Sequence, residues 1–168
     1  MNNIIKLFRT TLPRLADRLG FLAPALIRLT LAVIFIPTGL GKLKSLSDTA
    51  AYFAELHIPL PYLNAALAAS TEFFGGILIL IGLGSRLVAV PMAFTMVVAI
   101  VTAKLGEVSD LHSLVSQEEW LYLVMFLTIA LRGPGGLSLD ALLGRLFARG
   151  ARPLPQPVLA PPPAAVKA

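Results

Sequence analysis

The stretch YLNAALAASTEFFGGILILIGL, residues 62–83, decides the fold because it is 22 residues long and contains a single charged residue, Glu72. A helix rises about 1.5 Å per residue, so about 20 mostly apolar residues cross the roughly 30 Å hydrocarbon core of a bilayer. Lipid offers no hydrogen-bond partner to exposed backbone, so such a stretch crosses as a helix. The stretch therefore predicts a transmembrane helix with a carboxylate near its middle.

Three further stretches extend this prediction to four spans. The other spans are predicted at residues 24–43, 87–105 and 116–132. The last of these has only twelve uninterrupted apolar positions, 120–131, so we expect it to begin earlier, where Ser116 and Glu119 have the Ser-x-x-Glu form of a capping box. The predicted fold class is an all-α polytopic membrane protein, a four-transmembrane-helix bundle over residues 23–133.

The composition agrees with a membrane protein and excludes several classes of site. Of the 168 residues, 57% are hydrophobic and 14% are charged, whereas soluble domains carry about a quarter charged residues. The chain is too short for a separate soluble catalytic domain beside the bundle. The absence of cysteine excludes disulfides, thiolate metal sites and cysteine-held iron–sulfur clusters in this chain. His57 and His112 fall in separate loops, so we expect no metal site.

The basic residues predict the orientation in the membrane. With four spans, eleven of the fourteen fall on one side: Lys6, Arg9, Arg14, Arg18, Arg28, Arg86, Arg132, Arg145, Arg149, Arg152 and Lys167. Lys42, Lys44 and Lys104 fall on the other side. Because basic residues accumulate in cytoplasmic segments, we expect a multi-pass membrane protein with both termini in the cytoplasm.

The segments outside the spans predict surface elements. Residues 1–22 have the spacing of a basic amphipathic helix, bent near Pro13, that lies on anionic headgroups; a solvated basic tail is the alternative. Residues 134–150 predict a short interfacial helix capped by Ser138, and residues 151–168 a proline-rich, flexible tail. Because these basic segments flank membrane spans, the expected partner is the lipid bilayer and not nucleic acid.

The charges inside the spans predict a polar pocket. A carboxylate at the depth of Glu72 costs at least a few kcal/mol in lipid, so it should face the bundle interior. Counting helical rise from the cytoplasmic ends of the spans places Lys42, Glu72 and Glu119 at similar depths. Pro37 predicts a kink or unwinding of the first span beside them. The predicted ligand-binding set is Thr38, Lys42, Glu72, Gly75, Gly76, Glu119, Trp120 and Tyr122, with Glu72 as proton acceptor or donor.

Each of these residues also has a purely structural interpretation. A neutral Glu72 would tie two helices together, and Lys42 would extend to the outer headgroups. Glu118 and Glu119 would cap the fourth helix, and Trp120 and Tyr122 would join an interfacial aromatic belt. Small residues such as Gly75 and Gly76 admit either a neighbouring helix or a flat ligand.

The order and spacing of several motifs resembles the DoxX family of membrane proteins over about residues 22–145. The motifs are Gly39-Leu40-Gly41-Lys42, Phe53 with Ile58-Pro59-Leu60-Pro61, Glu72-Phe73-Phe74-Gly75-Gly76, Leu80-Ile81-Gly82-Leu83 with Arg86, and Gly133-Pro134-Gly135-Gly136-Leu137-Ser138-Leu139-Asp140. The resemblance implies a four-helix bacterial inner-membrane protein, with some members tied to redox work such as thiosulfate oxidation with quinone reduction. The family's second-span glutamate corresponds to Glu72 and its first-span lysine to Lys42.

These observations favour one function and leave two others open. The leading hypothesis is a small subunit that binds a quinone or a similar lipophilic ligand and supports a redox partner; with no electron donor and no intrinsic cofactor, it is not expected to be catalytic alone. A non-catalytic scaffold or assembly factor that packs through small residues such as Ala65 and Ala69 is the first alternative. A small-solute permease is the second, disfavoured because four spans without an inverted repeat offer little machinery for alternating access. A homo-oligomer would supply the missing repeat.

Overall fold

The computed structural model describes Arg9 and residues 12–150, without the side chains of residues 15–18 and 148–150, and the described part is helical with no strand. The helices are α1 Leu12–Leu19, α2 Leu22–Lys44, α3 Leu46–Glu55, α4 Pro61–Ile81, α5 Ser85–Ala99, α6 Leu111–Val115, α7 Glu118–Arg132 and α8 Leu139–Gly150. Helix α5 continues as a π-helical turn, Ile100–Lys104, and a 3₁₀ turn, Leu105–Glu107.

Three helices of the described chain are long and apolar enough to cross a membrane: α2, α4, and α5 with its continuation to Glu107. They contain 23, 21 and 23 residues. The predicted spans 24–43 and 87–105 lie inside two of them. The span predicted at 62–83 ends at Ile81, because Gly82 adopts a left-handed conformation with φ +74°. Helix α7, at the predicted fourth span, has 15 residues and is shorter than these three.

The bundle is built from two antiparallel helix pairs. Helix α2 packs along α4, and α5 packs along α7, while α4 also contacts α3 and α5. The shared core is apolar and consists of Leu31, Phe35, Ile79, Ala89, Met92, Ala93, Met96, Phe126 and Ile129. The edge of the Phe35 ring packs on the Phe126 ring at a centroid distance of 5.1 Å, which joins α2 to α7.

Buried and capping polar groups gather at one end of the bundle, which we call the basic end because it contains Arg28, Arg86 and Arg132. Arg28 is buried at 5% exposure, and its guanidinium donates to the carbonyls of Leu80, at 3.2 Å, and Leu137. Arg86 donates to the Arg132 carbonyl at 3.2 Å. These bonds hold the end of α4, the end of α7 and the loop before α8 together.

The loop before α8 is fixed by its own serine and aspartate. Ser138 Oγ accepts a hydrogen bond from the Ala141 amide at 3.2 Å, so the predicted Ser138 cap is confirmed. The Asp140 carboxylate accepts from the amides of Gly84, at 2.9 Å, and Ser85, at 3.4 Å, and so caps α5. The other end of the bundle, where α2 ends at Lys44 and α7 begins at Glu118, is called the opposite end below.

The predicted capping box of the fourth span is wrong. Helix α7 is preceded by Gln117, which makes no side-chain cap, and Ser116 donates instead to the His112 carbonyl at 2.8 Å. Residues 111–115 form a separate short helix, so the capping box lies one helix earlier, between Asp110 and Ser113. Hydrogen bonds from the Ser113 backbone and side chain hold the pKa of the exposed Asp110 below its ordinary value.

Of the kink or unwinding predicted near Pro37, the unwinding is wrong, because α2 is helical without interruption from Leu22 to Lys44, and the kink stays a prediction. A proline inside a helix removes one hydrogen bond, and packing of α2 along α4 outweighs that loss. The irregular backbone lies instead in the π-helical turn that follows α5.

The predicted surface segments are described only in part. Helix α1 lies within the proposed amphipathic segment 1–22, whose residues 1–8, 10 and 11 lie outside the described residues. Helix α8 lies within the proposed segment 134–150, and the proline-rich segment from residue 151 lies outside the described residues.

Candidate ligand cavity beside Lys42 and Glu72

An ion pair joins the two charged residues that the sequence places at one depth in the bundle. Lys42 Nζ donates to Glu72 Oε1 at 2.6 Å. The Lys42 side chain is 32% exposed, whereas that of Glu72 is only 4% exposed. The prediction that Glu72 faces the bundle interior and meets Lys42 is therefore confirmed.

A close approach of α2 and α4 brings the pair together. A Cβ atom added to Gly39 would lie 2.8 Å from Phe73 Cα and 2.9 Å from the Glu72 carbonyl carbon, closer than carbon atoms pack. Glycine at position 39 thus lets the two backbones touch beside Glu72. Lys42 lies three residues further along the same face of α2, which directs its side chain to α4.

The second carboxylate oxygen of Glu72 is the unusual feature of this pair. Oε2 is buried and has no hydrogen-bond partner among the described residues. A buried acceptor without a partner costs about 1–3 kcal/mol, and more when it carries charge. An oxygen in this situation is suited to accept a hydrogen bond from a ligand.

A cavity of about 1120 Å³ opens beside Glu72 toward the opposite end of the bundle. It lies between α2, α3, α4, α5 and α7, and its volume exceeds the upper end of the roughly 300–1,000 Å³ usual for small-molecule sites. Five of the eight predicted ligand-binding residues line it: Thr38, Lys42, Glu72, Glu119 and Tyr122.

Three predicted residues, Gly75, Gly76 and Trp120, are not among those that line the cavity. A Cβ on Gly75 would lie 2.7 Å from Met92 Sδ, and one on Gly76 would lie 2.9 Å from Ile36 Cγ1. Both glycines therefore admit neighbouring helices, so the structural interpretation accounts for them. Trp120 is half-buried near the start of α7.

The first turn of α7 supplies a polar wall of the cavity. Tyr122 Oη donates to Glu118 Oε2 at 3.1 Å, and both residues line the cavity with Glu119. The edge of the Tyr122 ring also packs on Phe35 at a centroid distance of 5.3 Å. Acidic residues in a first turn interact favourably with the helix dipole, so Glu118 and Glu119 stabilise α7 while they face the cavity.

Sequence reasoning missed the contribution of α3 and the loop after it. Asp48, Tyr52 and His57 line the cavity, and none of them belonged to the predicted set. His57 and Leu60 adopt left-handed conformations with φ +58° and +46°, which are rare for residues with side chains. The sequence signal that could have indicated this contribution is the cluster of polar and proline residues between the first two predicted spans.

The π-helical turn was missed as well. Thr102 and Lys104 in this turn line the cavity, and the Thr102 hydroxyl donates to the Val98 carbonyl at 2.8 Å. Turns of this kind are frequent at functional sites because they redirect side chains within a helix. No residue type in Ile100–Lys104 marks the turn in the sequence.

One premise of the scaffold alternative fails. Ala65 and Ala69 are fully buried within the bundle, at 0% exposure, so they do not offer a face to a partner. Their small side chains serve the packing of α4 against its neighbours in this chain.

Among the described residues, no group of three histidine, aspartate or glutamate side chains is placed to hold a metal ion.

The amino-acid sequence of this chain is similar to a family of membrane proteins and to three curated relatives. The family model described as DoxX matches residues 23–105. The Bacillus subtilis (strain 168) protein named "Putative oxidoreductase CatD" is 34% identical over 117 residues, which are 68% of this chain and 82% of the relative. The Escherichia coli (strain K12) inner membrane proteins YphA and YqjF are each 31% identical, over 67% and 70% of this chain and 84% and 89% of their own lengths. No solved structure matches the chain.

Proposed function

Because this chain belongs to the DoxX family of membrane proteins, we propose that it binds a quinone, or a flat lipophilic ligand of similar chemistry, beside Lys42 and Glu72 and supports a redox partner. The observation that carries the proposal is the buried Glu72 carboxylate, which is ion-paired through Oε1 and unpartnered at Oε2, at the wall of a large cavity.

The two charged groups match the two oxidation states of such a ligand. Lys42 Nζ is a donor suited to a quinone carbonyl, and Glu72 Oε2 is an acceptor suited to a quinol hydroxyl. When a partner protein delivers two electrons to the quinone, two protons must reach its oxygens, and Glu72 is placed to pass one of them. In this proposal the electrons come from the partner, and the chain, which has no cysteine, offers no thiol to carry them.

The apolar side chains that line the cavity suit the ring and the hydrophobic tail of a quinone. Ile34 and Phe35 line the cavity from α2, while Leu67 of α4 and Phe94 of α5 line it and are also 56% and 66% exposed. Exposed apolar side chains of this size suit contact with lipid acyl chains. A lipophilic ligand would therefore enter sideways from the bilayer, between α4 and α5.

The same proposal includes four membrane crossings with the basic end in the cytoplasm. Helix α7 has 15 residues, yet its last carbonyl bonds Arg86 at the start of α5, and its first turn faces Lys104 across the cavity. The end of α7 thus lies beside Arg86 at the start of α5, and its first turn shares a cavity with Lys104 of the π-helical turn after α5, which supports a crossing by α7. The arginines at the basic end favour the cytoplasmic side by the positive-inside rule.

Ligand extraction tests the proposal. The full-length protein is purified in mild detergent from a quinone-producing host, and bound quinone is quantified by mass spectrometry for wild type, Glu72→Gln and Glu107→Gln. Glu107 pairs with Lys104 at 3.5 Å, is more than half exposed and does not line the cavity, so it is a matched control. We expect quinone in wild type and Glu107→Gln, and at least tenfold less in Glu72→Gln, the effect of losing about 1.4 kcal/mol of binding.

Two outcomes would reject the ligand assignment. One is the absence of quinone from wild type, and the other is equal quinone in wild type and Glu72→Gln. Glutamine retains an oxygen that accepts from Lys42, so thermal unfolding of Glu72→Gln close to that of wild type shows that the fold is intact.

A further inference from the structure

A second cavity, of about 490 Å³, lies at the basic end between the start of α5, the end of α7 and the loop before α8. Two arginines, Arg86 and Arg132, line it together with the glycine-rich stretch Gly133-Pro134-Gly135-Gly136. It lies at the other end of the bundle from the cavity beside Glu72. The proposed quinone ligand gives it no role.

The loop holds Arg86 in place at this cavity. The Arg86 guanidinium donates to the Arg132 carbonyl at 3.2 Å. A Cβ atom on Gly133 would lie 2.9 Å from Arg86 Nε, so glycine at this position lets the guanidinium rest against the loop backbone. Gly133 also has φ +86°, a conformation that side chains disfavour. The arginine is thus positioned before any ligand arrives.

The cavity carries an excess of positive charge. Its one acidic residue, Asp140, already accepts hydrogen bonds from the amides of Gly84, at 2.9 Å, and Ser85, at 3.4 Å. The two ion pairs found among the described residues, Lys42–Glu72 and Lys104–Glu107, both lie at the opposite end. Neither Arg86 nor Arg132 is therefore paired with a described acid, and both are suited to an anion.

Exposed leucines adjoin the two arginines. Leu87, which lines the cavity, is 81% exposed, and Leu131, next to Arg132, is 79% exposed. Both lie where α5 begins and α7 ends, beside the arginines of the basic end. An anion with apolar chains attached fits this combination better than a free anion does, because the chains cover the leucines.

We propose that this cavity is a binding site for an anionic phospholipid, whose phosphate lies between Arg86 and Arg132 and whose acyl chains lie along Leu87 and Leu131. The site is specific: it is built from two arginines and a glycine loop, in contrast to the general attraction of basic termini to a membrane. A bound lipid would tie α5, α7 and α8 together at the basic end. The proposal stands independently of the quinone ligand.

Lipid retention by single-residue variants tests the site. The full-length protein is placed in nanodiscs of phosphatidylcholine with a minor fraction of phosphatidylglycerol, and lipid that remains bound after detergent extraction is measured by native mass spectrometry. Arg132→Gln removes one guanidinium and leaves the carbonyl that Arg86 bonds. Lys44→Gln removes one exposed positive charge at the opposite end and is the control.

We expect Arg132→Gln to lower retained phosphatidylglycerol about tenfold, because the phosphate loses one of its two charged hydrogen-bond donors. Lys44→Gln should retain as much as wild type, and Arg132→Lys should retain most of it because the charge is kept. Unfolding of Arg132→Gln in pure phosphatidylcholine at the wild-type temperature shows that the loss is not a folding defect.

Other results overturn the proposal. Equal losses in Arg132→Gln and Lys44→Gln would mean a general electrostatic attraction without a site. Equal retention of phosphatidylglycerol and phosphatidylcholine by wild type would mean that the cavity does not select an anion. Displacement of phosphatidylglycerol by inorganic phosphate alone would assign the cavity to a free anion and not to a lipid.

Discussion

Glu72 and Lys42 depend on each other, because each is placed where its charge is poorly solvated alone. The Glu72 side chain is 4% exposed and that of Lys42 is 32% exposed, so the carboxylate bears most of the cost of burial. Removing the lysine would leave a buried acid with no cation. Removing the acid would leave a lysine that is partly exposed at the cavity, where water can solvate its charge. The two single losses are therefore unequal.

A double-mutant cycle measures this dependence. We expect Lys42→Met to lower the free energy of unfolding by about 2 kcal/mol, because the Glu72 carboxylate loses its charged partner. Glu72→Gln should cost less, and Lys42→Met combined with Glu72→Gln should cost less than the sum of the two, with a coupling energy of about 1–2 kcal/mol. Chemical unfolding of the four proteins in one detergent gives the values. Strictly additive effects would contradict a direct interaction.

Residue depth could be predicted from the sequence, but the direction of side chains around each helix axis could not. Counting helical rise placed Lys42, Glu72 and Glu119 at one level, and the structure brings the first two into contact and places all three at one cavity. Trp120 and Tyr122 were both predicted to lie at the pocket because they follow Glu119 on the same helix, yet only Tyr122 lines the cavity. Successive residues differ by about 100° around a helix axis. Which of them faces the cavity depends on how the whole helix is rotated, and tertiary packing sets that rotation.

The packing of α2 on α4 depends on Gly39. Adding a methyl group there would place it 2.8 Å from Phe73 Cα, and backbone cannot move aside as a flexible side chain would. We expect Gly39→Ala to lower the free energy of unfolding by about 1–3 kcal/mol, the usual cost of overpacking. It should also weaken ligand binding, because Lys42 and Glu72 are drawn apart with their helices. Unfolding and quinone content are measured on the same preparations.

Gly41 provides the matched control on the same helix. A Cβ atom at Gly41 would meet nothing within 4 Å, so Gly41→Ala should leave stability unchanged or raise it by up to about 1 kcal/mol through helix propensity. If Gly39→Ala and Gly41→Ala behaved alike, helix propensity would explain both and the close contact of α2 with α4 would be refuted.

The long apolar helices could be predicted from the sequence, whereas the short helix α6 and the π-helical turn could not. Hydropathy and length sufficed for α2, α4 and α5 because lipid requires long apolar helices. The capping box lies at Asp110 and not at Ser116: Asp110 and Ser113 lack the Ser-x-x-Glu pattern, so the sequence pattern pointed to Ser116 and gave no sign of the short helix α6. No residue type in Ile100–Lys104 marks the π-helical turn, so hydropathy and length could not predict it.

The whole molecule has two dissimilar ends. At the basic end, Arg28, Arg86 and Asp140 bond backbone groups of other helices and close the bundle. At the opposite end, the helices part around the large cavity, whose wall includes the left-handed residue His57. A bundle that is fixed at one end and open at the other admits a ligand without loss of its core. The proposal of four spans requires in addition that α7 traverse the membrane as α5 does.

The absence of cysteine makes that requirement directly testable, because any introduced thiol is the only one in the protein. Ser116 precedes α7 and is exposed, and Leu137 follows it with 59% exposure. In intact cells we expect a membrane-impermeant maleimide to label Ser116→Cys but not Leu137→Cys, which should react only after the inner membrane is opened. Lys44→Cys, at the same end as Ser116, should behave like Ser116→Cys and calibrates access to the outer side. Labelling of positions 116 and 137 from one side of the membrane would mean that the 15-residue α7 does not cross, and the chain would then have three spans.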